Sequence, residues 1–467
     1  MKLKNSSKIS TEQRTESKIK DAFINTYEHD NGEIERVMAV TANSWDDLSF
    51  VHPGFSFSAY QKIVNLYRNF IVPKAPVVFG QMALYHIPGD FEFPKEIHSD
   101  FKDLNETDET ALDNYLRQNV RIKKGIPVFK TDLAKRIWNE LDASNSISIV
   151  CGKLPFTKFL QVGSDIGYLS DEKDSYEAVV NASFFVMDAF DVSGSFDKIG
   201  TPLGLLVKDG VVYNPPLFNR EALIVYNDNS VEIKSPSLSE LTLEISGKAF
   251  IHGQNCSIYE RPDYFKISIG KDKIAVVIIG NKVARVNMGK TETVPESGFI
   301  LVVDKDTEIH PLDEVVYKGM EDVKFGISVG NSIIRNGVKT TEFISKFYNI
   351  KRHLGRKAYP PSLYPLNFEN ARAPRIALGS DKDGLPIIIW AEGPGKTGYT
   401  KGVDSAGASL LEMAEICEDL GIKNAVNLDG GGSAQIILNG KRYLMISDRN
   451  PSDNSEAERA VPVGIGI

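Results

Sequence analysis

The chain has 467 residues and a formal net charge of −8, with 42% hydrophobic and 25% charged residues. This composition is typical of a soluble globular protein, and the length predicts roughly two to four domains or one large domain with an extension. The net negative charge provides no overall basic surface for nucleic acid, and no run of apolar residues approaches the ~20 that a membrane span needs.

The cysteines and the N-terminus bear on the cellular compartment. Cys151, Cys256 and Cys417 are far apart and form neither a CxxC pair nor a metal-ligand spacing, which favours buried thiols in a reducing compartment. The first residues are polar and lack the apolar segment of a secretory signal, so we expect a cytoplasmic location. Residues 1–20 are rich in Ser, Thr, Lys and Glu, which predicts a disordered or frayed terminus.

Residues 21–145 are predicted to be mixed α/β. Apolar residues have helical spacing in 60–67 and in 133–138. The pattern at residues 73–80 predicts a turn that leads into a short strand. The region carries no motif that assigns a role. A separate domain, an oligomerisation element and a capping extension all fit it.

The pattern becomes β-rich from about residue 146. Short apolar runs alternate with Gly, Asn and Asp turns, as in 204–207, 211–213, 274–279 and 298–303. A helix is predicted over 409–420, with Ser409 as N-cap and Gly421 just beyond its end. We therefore predict an α+β fold: a β-rich domain over 146–467 with few helices, preceded by the mixed α/β extension.

The most informative segment follows a short predicted strand at 425–428. It consists of Asp429, Gly430, Gly431, Gly432 and Ser433. Three consecutive glycines make sense where the backbone turns tightly or approaches a ligand, and their amides can form a concave nest for an anion such as phosphate. Asp429 would then stand at a strand end beside the bound anion. The alternative is a glycine-rich hairpin turn that Asp429 caps.

Three further clusters have a structural and a functional interpretation. Asn181 follows the apolar run 178–180 and either forms a turn or holds sugar hydroxyls. Arg375 begins a predicted strand and either makes a surface ion pair or clamps phosphate. Asp453, Glu458 and Arg459 lie near the C-terminus, where solvated charges are the ordinary interpretation.

Taken in order, these clusters resemble the phosphodiester glycosidase family. The similarity runs from about residue 146 to 467 and includes Asn-Ala-Ser-Phe-Phe at 181–185, Pro-Leu-Gly at 202–204 and Pro-Arg at 374–375. It ends with Asn-Leu-Asp-Gly-Gly-Gly-Ser at 427–433 and Glu-Arg at 458–459. Two positions depart from the family pattern: Ile376 stands where Thr is usual, and Glu392 where many members have Asp. Residues 1–145 lie outside the resemblance.

The resemblance implies a hydrolase that cleaves the glycosidic bond of a sugar-1-phosphodiester, with N-acetylglucosamine as the sugar in the family's lysosomal member. A phosphate ester is a good leaving group, so the enzyme mainly holds phosphate, stabilises an oxocarbenium-like transition state and positions a carboxylate. The implied catalytic carboxylates are Asp429 first, then Glu392, Asp453 and Glu458. The implied substrate-binding residues are Asn181, Arg375, Gly430, Gly431, Gly432, Ser433 and Arg459; the alternative role for Arg459 is to fix a carboxylate.

The resemblance implies a glycan or small-molecule phosphodiester as partner and requires no cofactor. No His or Cys cluster indicates a metal, although carboxylates and loop carbonyls are suitable ligands for Ca²⁺ or Mg²⁺. The alternative function is a non-catalytic module that recognises a phosphorylated glycan without cleaving it. A structural protein that assembles through its extension is a third interpretation, and the motifs do not favour it. The oligomeric state is not set by the sequence.

Overall fold

The computed structural model of the chain describes residues 1–9, 17–51, 82–85, 119–123, 126–143, 147–150, 168–185, 202–218, 220–261, 263–295, 298–311, 313–340, 372–395, 399–449, 455–459 and 461–467. The chain divides into two compact units. The first comprises residues 1–54, 167–449 and 454–467, and the second comprises residues 55–166 and 450–453. The division differs from the predicted boundary at residue 146, because the N-terminal 54 residues belong to the first unit.

The strands of the N-terminal third and of the second unit are β1 Lys2–Lys8, β2 Ile19–Glu28, β3 Ile34–Ala42, β4 Ser49–Val51, β5 Met82–Tyr85, β6 Val120–Lys123, β7 Ile126–Phe129 and β8 Ile147–Val150. The next strands along the chain are β9 Ala178–Asn181, β10 Leu206–Lys208, β11 Val211–Asn214, β12 Ala222–Tyr226, β13 Val231–Lys234, β14 Thr242–Ile245, β15 Lys248–Ile251, β16 Ser257–Glu260, β17 Lys266–Ser268, β18 Lys273–Ile279 and β19 Lys282–Asn287. The remaining strands are β20 Thr291–Thr293, β21 Gly298–Asp304, β22 Val315–Lys318, β23 Val323–Ser328, β24 Ser332–Arg335, β25 Val338–Lys339, β26 Arg375–Ser380, β27 Pro386–Ala391, β28 Asn424–Asn427, β29 Ile436–Leu438 and β30 Gly464–Gly466.

Eight strands of the first unit form one antiparallel sheet in the order β1-β2-β3-β27-β26-β28-β24-β25. Strand β3 lies between β2 and β27, and its Ala39 pairs with Ile389. A strand from the first 51 residues is therefore central to the sheet that also carries β28, the strand before the glycine loop. Sequence patterns do not reveal this, because the pairing joins segments that are far apart in the chain.

The N-terminal strand corrects the prediction that residues 1–20 are disordered or frayed. Lys2–Lys8 are exposed along their whole length, yet they pair with β2 through Lys2↔Glu28 to Lys8↔Phe23. Backbone hydrogen bonds to a neighbouring strand stabilise this edge without burying apolar side chains, so composition alone indicates disorder. Residues 10–16 lie outside the described part of the chain.

The large sheet buries both of its faces. Alternate residues such as Met38, Leu378 and Trp390 belong to one hydrophobic cluster, which β9, β12, β23, β29 and β30 complete from the other side. Their neighbours Ala39 and Ile389 belong to a second cluster, in which a helix covers the sheet. The period-2 alternation along each strand therefore produces two cores, one on each face.

That helix is α2, Leu410–Asp419, and it confirms the sequence prediction closely. The Ser409 side chain accepts from the backbone N–H of Glu412, and the Glu412 side chain accepts from the Ser409 N–H, which forms a capping box. Gly421 follows the helix with φ +69°, a conformation that glycine adopts without steric cost.

Smaller sheets complete the first unit. Their strand orders are β11-β10-β23-β12-β13, β29-β9-β30-β4, β15-β14-β22, β16-β21-β18-β19 and β17-β20. The sheet β29-β9-β30-β4 is the important one for the site, because β9 ends at Asn181 and pairs with β29 just after the glycine loop.

The second unit contains two short antiparallel strand pairs, β5 with β8 and β6 with β7, and the helix Asp132–Ala143, here α1. This helix confirms the helical spacing seen at 133–138, and Trp138 packs edge-on against Phe129. The predicted helix at 60–67 and the turn and strand at 73–80 lie outside the described residues. No helix in the described ranges is both long and apolar enough to cross a membrane.

Across both units, strand is the main secondary structure of the described residues, which contain two α-helices. The predicted fold class, α+β and β-rich with few helices, is confirmed.

Candidate functional site

Asp429 lies at the point where the central sheet meets the sheet of β9. The N–H of Leu428 donates to Ile376 on β26, and the N–H of Asp429 donates to Ala182, directly after β9. The chain thus crosses from one sheet to the other at the end of β28, and the aspartate is fixed by its backbone on both sides. The prediction of a carboxylate at a strand end is confirmed.

The Asp429 carboxyl group is buried, with 5% of the residue exposed. Burial raises its pKa to about 6, while the nearby Ser433 hydroxyl and the positive charges of Arg459 and Arg220 act to lower it. Oδ1 accepts the Gly430 N–H at 3.0 Å, whereas Oδ2 has no hydrogen-bond partner among the described residues. A buried carboxylate oxygen without a partner is costly, so the site is suited to a polar ligand.

The glycine loop is a single 3-10 turn, Gly431–Ser433. Two of its amides have internal acceptors: Gly430 N–H donates to the Asp429 carboxylate, and Gly431 N–H donates to the Pro374 carbonyl at 2.9 Å. The predicted anion nest of three glycine amides is therefore largely occupied by the protein itself. Gly431 has φ +60°, and a Cβ at this position would have no atom of the described residues within 4 Å, so the loop borders open space within the described part of the chain.

Asn181 joins the loop to the rest of the site. Its side-chain Nδ2 donates to the Asp429 carbonyl at 2.6 Å, and its Oδ1 accepts the Gln435 N–H at 3.0 Å. Both polar atoms of the amide thus hold backbone on either side of the glycines. Asn181 thus supports the loop, and its contact with sugar hydroxyls stays a prediction.

Arg375 and Glu392, both predicted from the sequence, are buried at the same end of the β26–β27 pair, where Arg375 is opposite Ala391. Arg375 Nε donates to the Ala408 carbonyl at 3.0 Å. The Glu392 carboxylate accepts from Arg36 Nε at 2.5 Å and from the Met445 N–H at 2.7 Å. Burial raises the Glu392 pKa, against the opposing effects of these two donors. With both oxygens bound internally, Glu392 ties β27 to β3 and the 445 segment.

Glu458 is also bound on both carboxylate oxygens. Oε1 accepts the Ser170 N–H at 2.9 Å, and Oε2 pairs with Arg442. These contacts hold the C-terminal segment to the start of the β9 region. Asp453, the remaining predicted carboxylate, lies outside the described residues.

Arg459, predicted to bind substrate, lies at the glycine loop, where it pairs with a carboxylate that sequence reasoning missed. Its Nη1 lies 3.3 Å from the Ser433 hydroxyl oxygen, and its Nη2 lies 2.7 Å from Asp448 Oδ2. Asp448 is buried and follows no motif in the sequence. Its location is set by the fold, because residues 444–448 return past the loop, and no local signal predicts that contact.

Other polar side chains near Asp429 are not among the site residues predicted from the sequence. Asn427 Oδ1, Ser183 Oγ and Gln435 Oε1 are buried without a hydrogen-bond partner among the described residues, like Asp429 Oδ2. Asn427 precedes Asp429 by two positions, and Ser183 follows the residue that binds the Asp429 N–H. Gln435 is linked to Asp429 because both bind the Asn181 amide.

Arg220 completes this neighbourhood, since its positive charge acts on Asp429. Its guanidinium lies 5.1 Å from the Phe184 ring centroid. Together these groups form a buried polar site in which the arginines favour an anionic group of a ligand and the unsatisfied oxygens favour its hydrogen-bond donors.

No group of three or more His, Cys, Asp or Glu within the described ranges is arranged to hold a metal ion.

These features define a buried carboxylate site with arginines, on a β-rich domain. The chain belongs to the phosphodiester glycosidase family, whose model matches residues 174–467. It is 40% identical over 81 residues to mouse N-acetylglucosamine-1-phosphodiester alpha-N-acetylglucosaminidase and 38% identical to the human enzyme of that name. Each alignment covers 17% of this chain and 14% of the relative. A Bacillus subtilis relative, the SPbeta prophage-derived uncharacterized protein YomE, is 35% identical over 79 residues, which is 17% of this chain and 11% of the relative.

Among solved structures, the chain is similar to the zebrafish N-acetylglucosamine-1-phosphodiester alpha-N-acetylglucosaminidase catalytic domain auto-inhibited by its pro-peptide. That likeness has a TM-score of 0.38 and 13% identity, and covers 99% of this chain and 87% of the other. A putative exported protein from Burkholderia pseudomallei K96243 gives a TM-score of 0.39 at 15% identity, with 95% and 96% covered.

Proposed function

We propose that this protein hydrolyses the glycosidic bond of a sugar-1-phosphodiester, with an N-acetylglucosamine-like sugar, and releases free sugar and a phosphate monoester. The observation that carries the proposal is Asp429: a buried carboxyl with one unpartnered oxygen and a pKa of about 6, close to the charges of Arg459 and Arg220. Membership of the phosphodiester glycosidase family supports the reaction class, and the names of the mouse and human relatives support the sugar.

The site divides into groups suited to each part of this substrate. Arg459 and Arg220 supply positive charge for the phosphate, since guanidinium groups bind phosphate oxygens well. The open space beside Gly431 provides room at the loop for the ligand. Buried oxygens that sugar hydroxyls can satisfy come from Asn427 Oδ1, Gln435 Oε1 and Ser183 Oγ.

Asp429 acts on the anomeric carbon, either as nucleophile or as the base that takes a proton from water. In both cases the C–O bond to the phosphate breaks, and the phosphate leaves with the bonding electrons. Because phosphate is a good leaving group, little proton donation to it is needed, and the arginines stabilise its developing charge. The sugar receives the oxygen of water, directly or after hydrolysis of a covalent intermediate.

The test is incubation with a panel of nucleotide-sugars and other sugar-1-phosphodiesters, followed by mass spectrometry of the products. We expect diesters to be cleaved fastest, sugar-1-phosphate monoesters next and simple aryl or alkyl glycosides slowest, because the last offer no anion to the arginines. A variant with Asp429→Asn serves as the matched blank.

The second candidate function is a non-catalytic phosphoglycan-binding module, and one feature favours it. Glu392 and Glu458 are both bound to other parts of the protein. Among the sequence-predicted carboxylates in the described ranges, neither of these two is therefore free to act with Asp429. A module of this kind would bind the diesters and return them intact. Binding without turnover across the panel would therefore establish the module and exclude the hydrolase.

A further inference from the structure

Asp448 and Arg459 form a buried ion pair directly against the glycine loop. Asp448 Oδ2 accepts from Nε of Arg459 at 2.9 Å and lies 2.7 Å from Nη2, while Nη1 reaches the Ser433 hydroxyl oxygen. The guanidinium is thus held by a carboxylate on one edge and directed to the loop on the other. The Gln435 amide also approaches the Arg459 carbonyl, at 3.5 Å. An arginine with this many fixed contacts has a defined orientation.

The same pair explains the third glycine of the loop. A Cβ on Gly432 would lie 2.1 Å from Arg459 Nη2 and 2.3 Å from Asp448 Oδ2, so these two side-chain ends would have to shift. A Cβ on Gly431 would have no described atom within 4 Å. Glycine at 432 therefore permits the close approach of the ion pair, whereas glycine at 431 is favoured by its backbone angle.

We propose that Asp448 is a positioning residue, which holds Arg459 in the orientation that binds the substrate phosphate, and that Gly432 is the loop position that admits this arrangement. The proposal rests on the function proposed above. It assigns no chemical step to Asp448, which acts through Arg459. The competing interpretation is that Asp448 only neutralises Arg459, in which case its charge opposes phosphate binding.

The two interpretations predict opposite signs in one measurement, the inhibition constant of inorganic phosphate. If Asp448 positions Arg459, Asp448→Asn should raise that constant roughly tenfold or more, since a charge-assisted contact to phosphate is lost. KM for the diester should rise in parallel, with a smaller effect on kcat. If Asp448 only neutralises Arg459, removing its charge should tighten phosphate binding. An unchanged or lowered constant overturns the proposal.

A double-mutant cycle tests whether the effect passes through Arg459. Once Arg459→Gln has removed the guanidinium, adding Asp448→Asn should change the phosphate constant no further. Independent, additive effects would contradict a positioning role. Should Asp448→Asn fail to fold, Gly432→Ala tests the same geometry from the loop side, and it should weaken phosphate binding because its Cβ displaces the guanidinium. Normal phosphate binding by Gly432→Ala would overturn the proposal.

A matched control is available elsewhere in the molecule. Glu292 is a buried carboxylate on β20 that pairs with Arg285 on β19. Glu292→Gln should lower stability and leave phosphate binding unchanged. Direct calorimetric titration with phosphate separates the two proposals. Wild-type protein that binds phosphate in a manner sensitive to Asp448→Asn and Arg459→Gln but turns over no diester would refute the hydrolase alone. Hydrolysis with a phosphate constant insensitive to Asp448→Asn would refute the positioning role alone.

Discussion

At the scale of single residues, the proposed reaction assigns both the activity and its pH dependence to Asp429. The carboxylate form is required in either proposed role, so kcat/KM should rise with pH through an inflection near 6, the pKa to which burial raises this group. Asp429→Asn should lower kcat by about three orders of magnitude or more, as loss of a reacting group does. A pH–rate profile and single-turnover kinetics measure both. Near-normal turnover by the variant would exclude Asp429 as the reacting group.

The raised pKa of Asp429 also has a consequence for stability. The folded-state pKa lies above the unfolded value of 3.8, so the stability associated with the neutral carboxyl is complete below pH 3.8 and is lost as pH rises through about 6. Asp429→Asn avoids this loss. The variant should therefore be more stable than wild type by up to about 3 kcal/mol at pH 7 in urea unfolding, since a pKa that differs by one between the folded and unfolded states corresponds to about 1.4 kcal/mol. A variant that unfolds would instead favour the interpretation of Asp429 as a loop cap.

Substitution of Gly431 tests two effects, the cost of a positive φ for stability and the contact of the loop with the ligand. Gly431→Ala should lower the free energy of unfolding by about 1–2 kcal/mol, because φ is +60°. Its methyl group would lie more than 4 Å from the described atoms of the protein, so we expect its steric effect to fall on the substrate and KM to rise. Gly247→Ala is the control: its φ is +75° in the β14–β15 turn, and its Cβ also enters open space. Equal KM values for both variants would place the ligand elsewhere.

Part of this site can be predicted from the sequence, and the rest cannot. Three glycines after a strand and an aspartate mark a constrained loop, because few other functions need such a costly backbone. Asp448 and Gln435 carry no comparable signal, since a lone polar residue is informative only once its burial is known. Arg375 and Glu392 were predicted from sequence motifs. A motif does not show that other parts of the chain already form hydrogen bonds with several of the polar atoms of these residues.

At the scale of elements, β3 is the critical contribution of the N-terminal region. It separates β2 from β27, so a protein limited to residues 146–467 would expose the edge of β27 and lose Met38 and Val40 from the core. We expect this truncated protein to aggregate or to lack a cooperative unfolding transition, although it contains every motif of the family. Circular dichroism and urea unfolding measure this. A stable, cooperatively folded fragment would show that β3 is dispensable.

The strands and helices themselves follow from local pattern, and their pairing does not. Helix α2 and its caps agree with the prediction because apolar spacing, Ser409, Glu412 and Gly421 are all local signals. The position of β3 in the sheet depends on long-range pairing, and the exposed strand β1 depends on backbone hydrogen bonds that any sequence can make. The position of β3 and the pairing of β1 can therefore be predicted only when the whole fold is known.

At the scale of the whole molecule, Glu35 limits stability at neutral pH. It is fully buried on β3. Burial raises its pKa well above 4.5, and the charges of Glu392 and Glu412 add to this, against the opposing effects of the Ser405 hydroxyl and the charge of Arg372. Folding therefore favours the protonated form, and stability falls as pH rises above 4.5 towards the folded-state pKa.

Glu35→Gln should consequently raise the melting temperature at pH 8 and give little gain at pH 4, where wild-type Glu35 is largely neutral in both states. Thermal unfolding across this pH range is the measurement. An equal change at pH 4 and pH 8 would show that the substitution acts through packing and not through titration.

The proposed reaction breaks the bond between the anomeric carbon of the sugar and the ester oxygen of the phosphate. Hydrolysis of a sugar-1-phosphodiester in ¹⁸O-labelled water, followed by mass spectrometry of both products, tests it most directly. A glycosidase that uses Asp429 at the anomeric carbon places the label on the anomeric hydroxyl of the released sugar and leaves the phosphate monoester unlabelled. Label in the phosphate would mean cleavage of the P–O bond, and it would contradict the assignment of this site to glycoside hydrolysis.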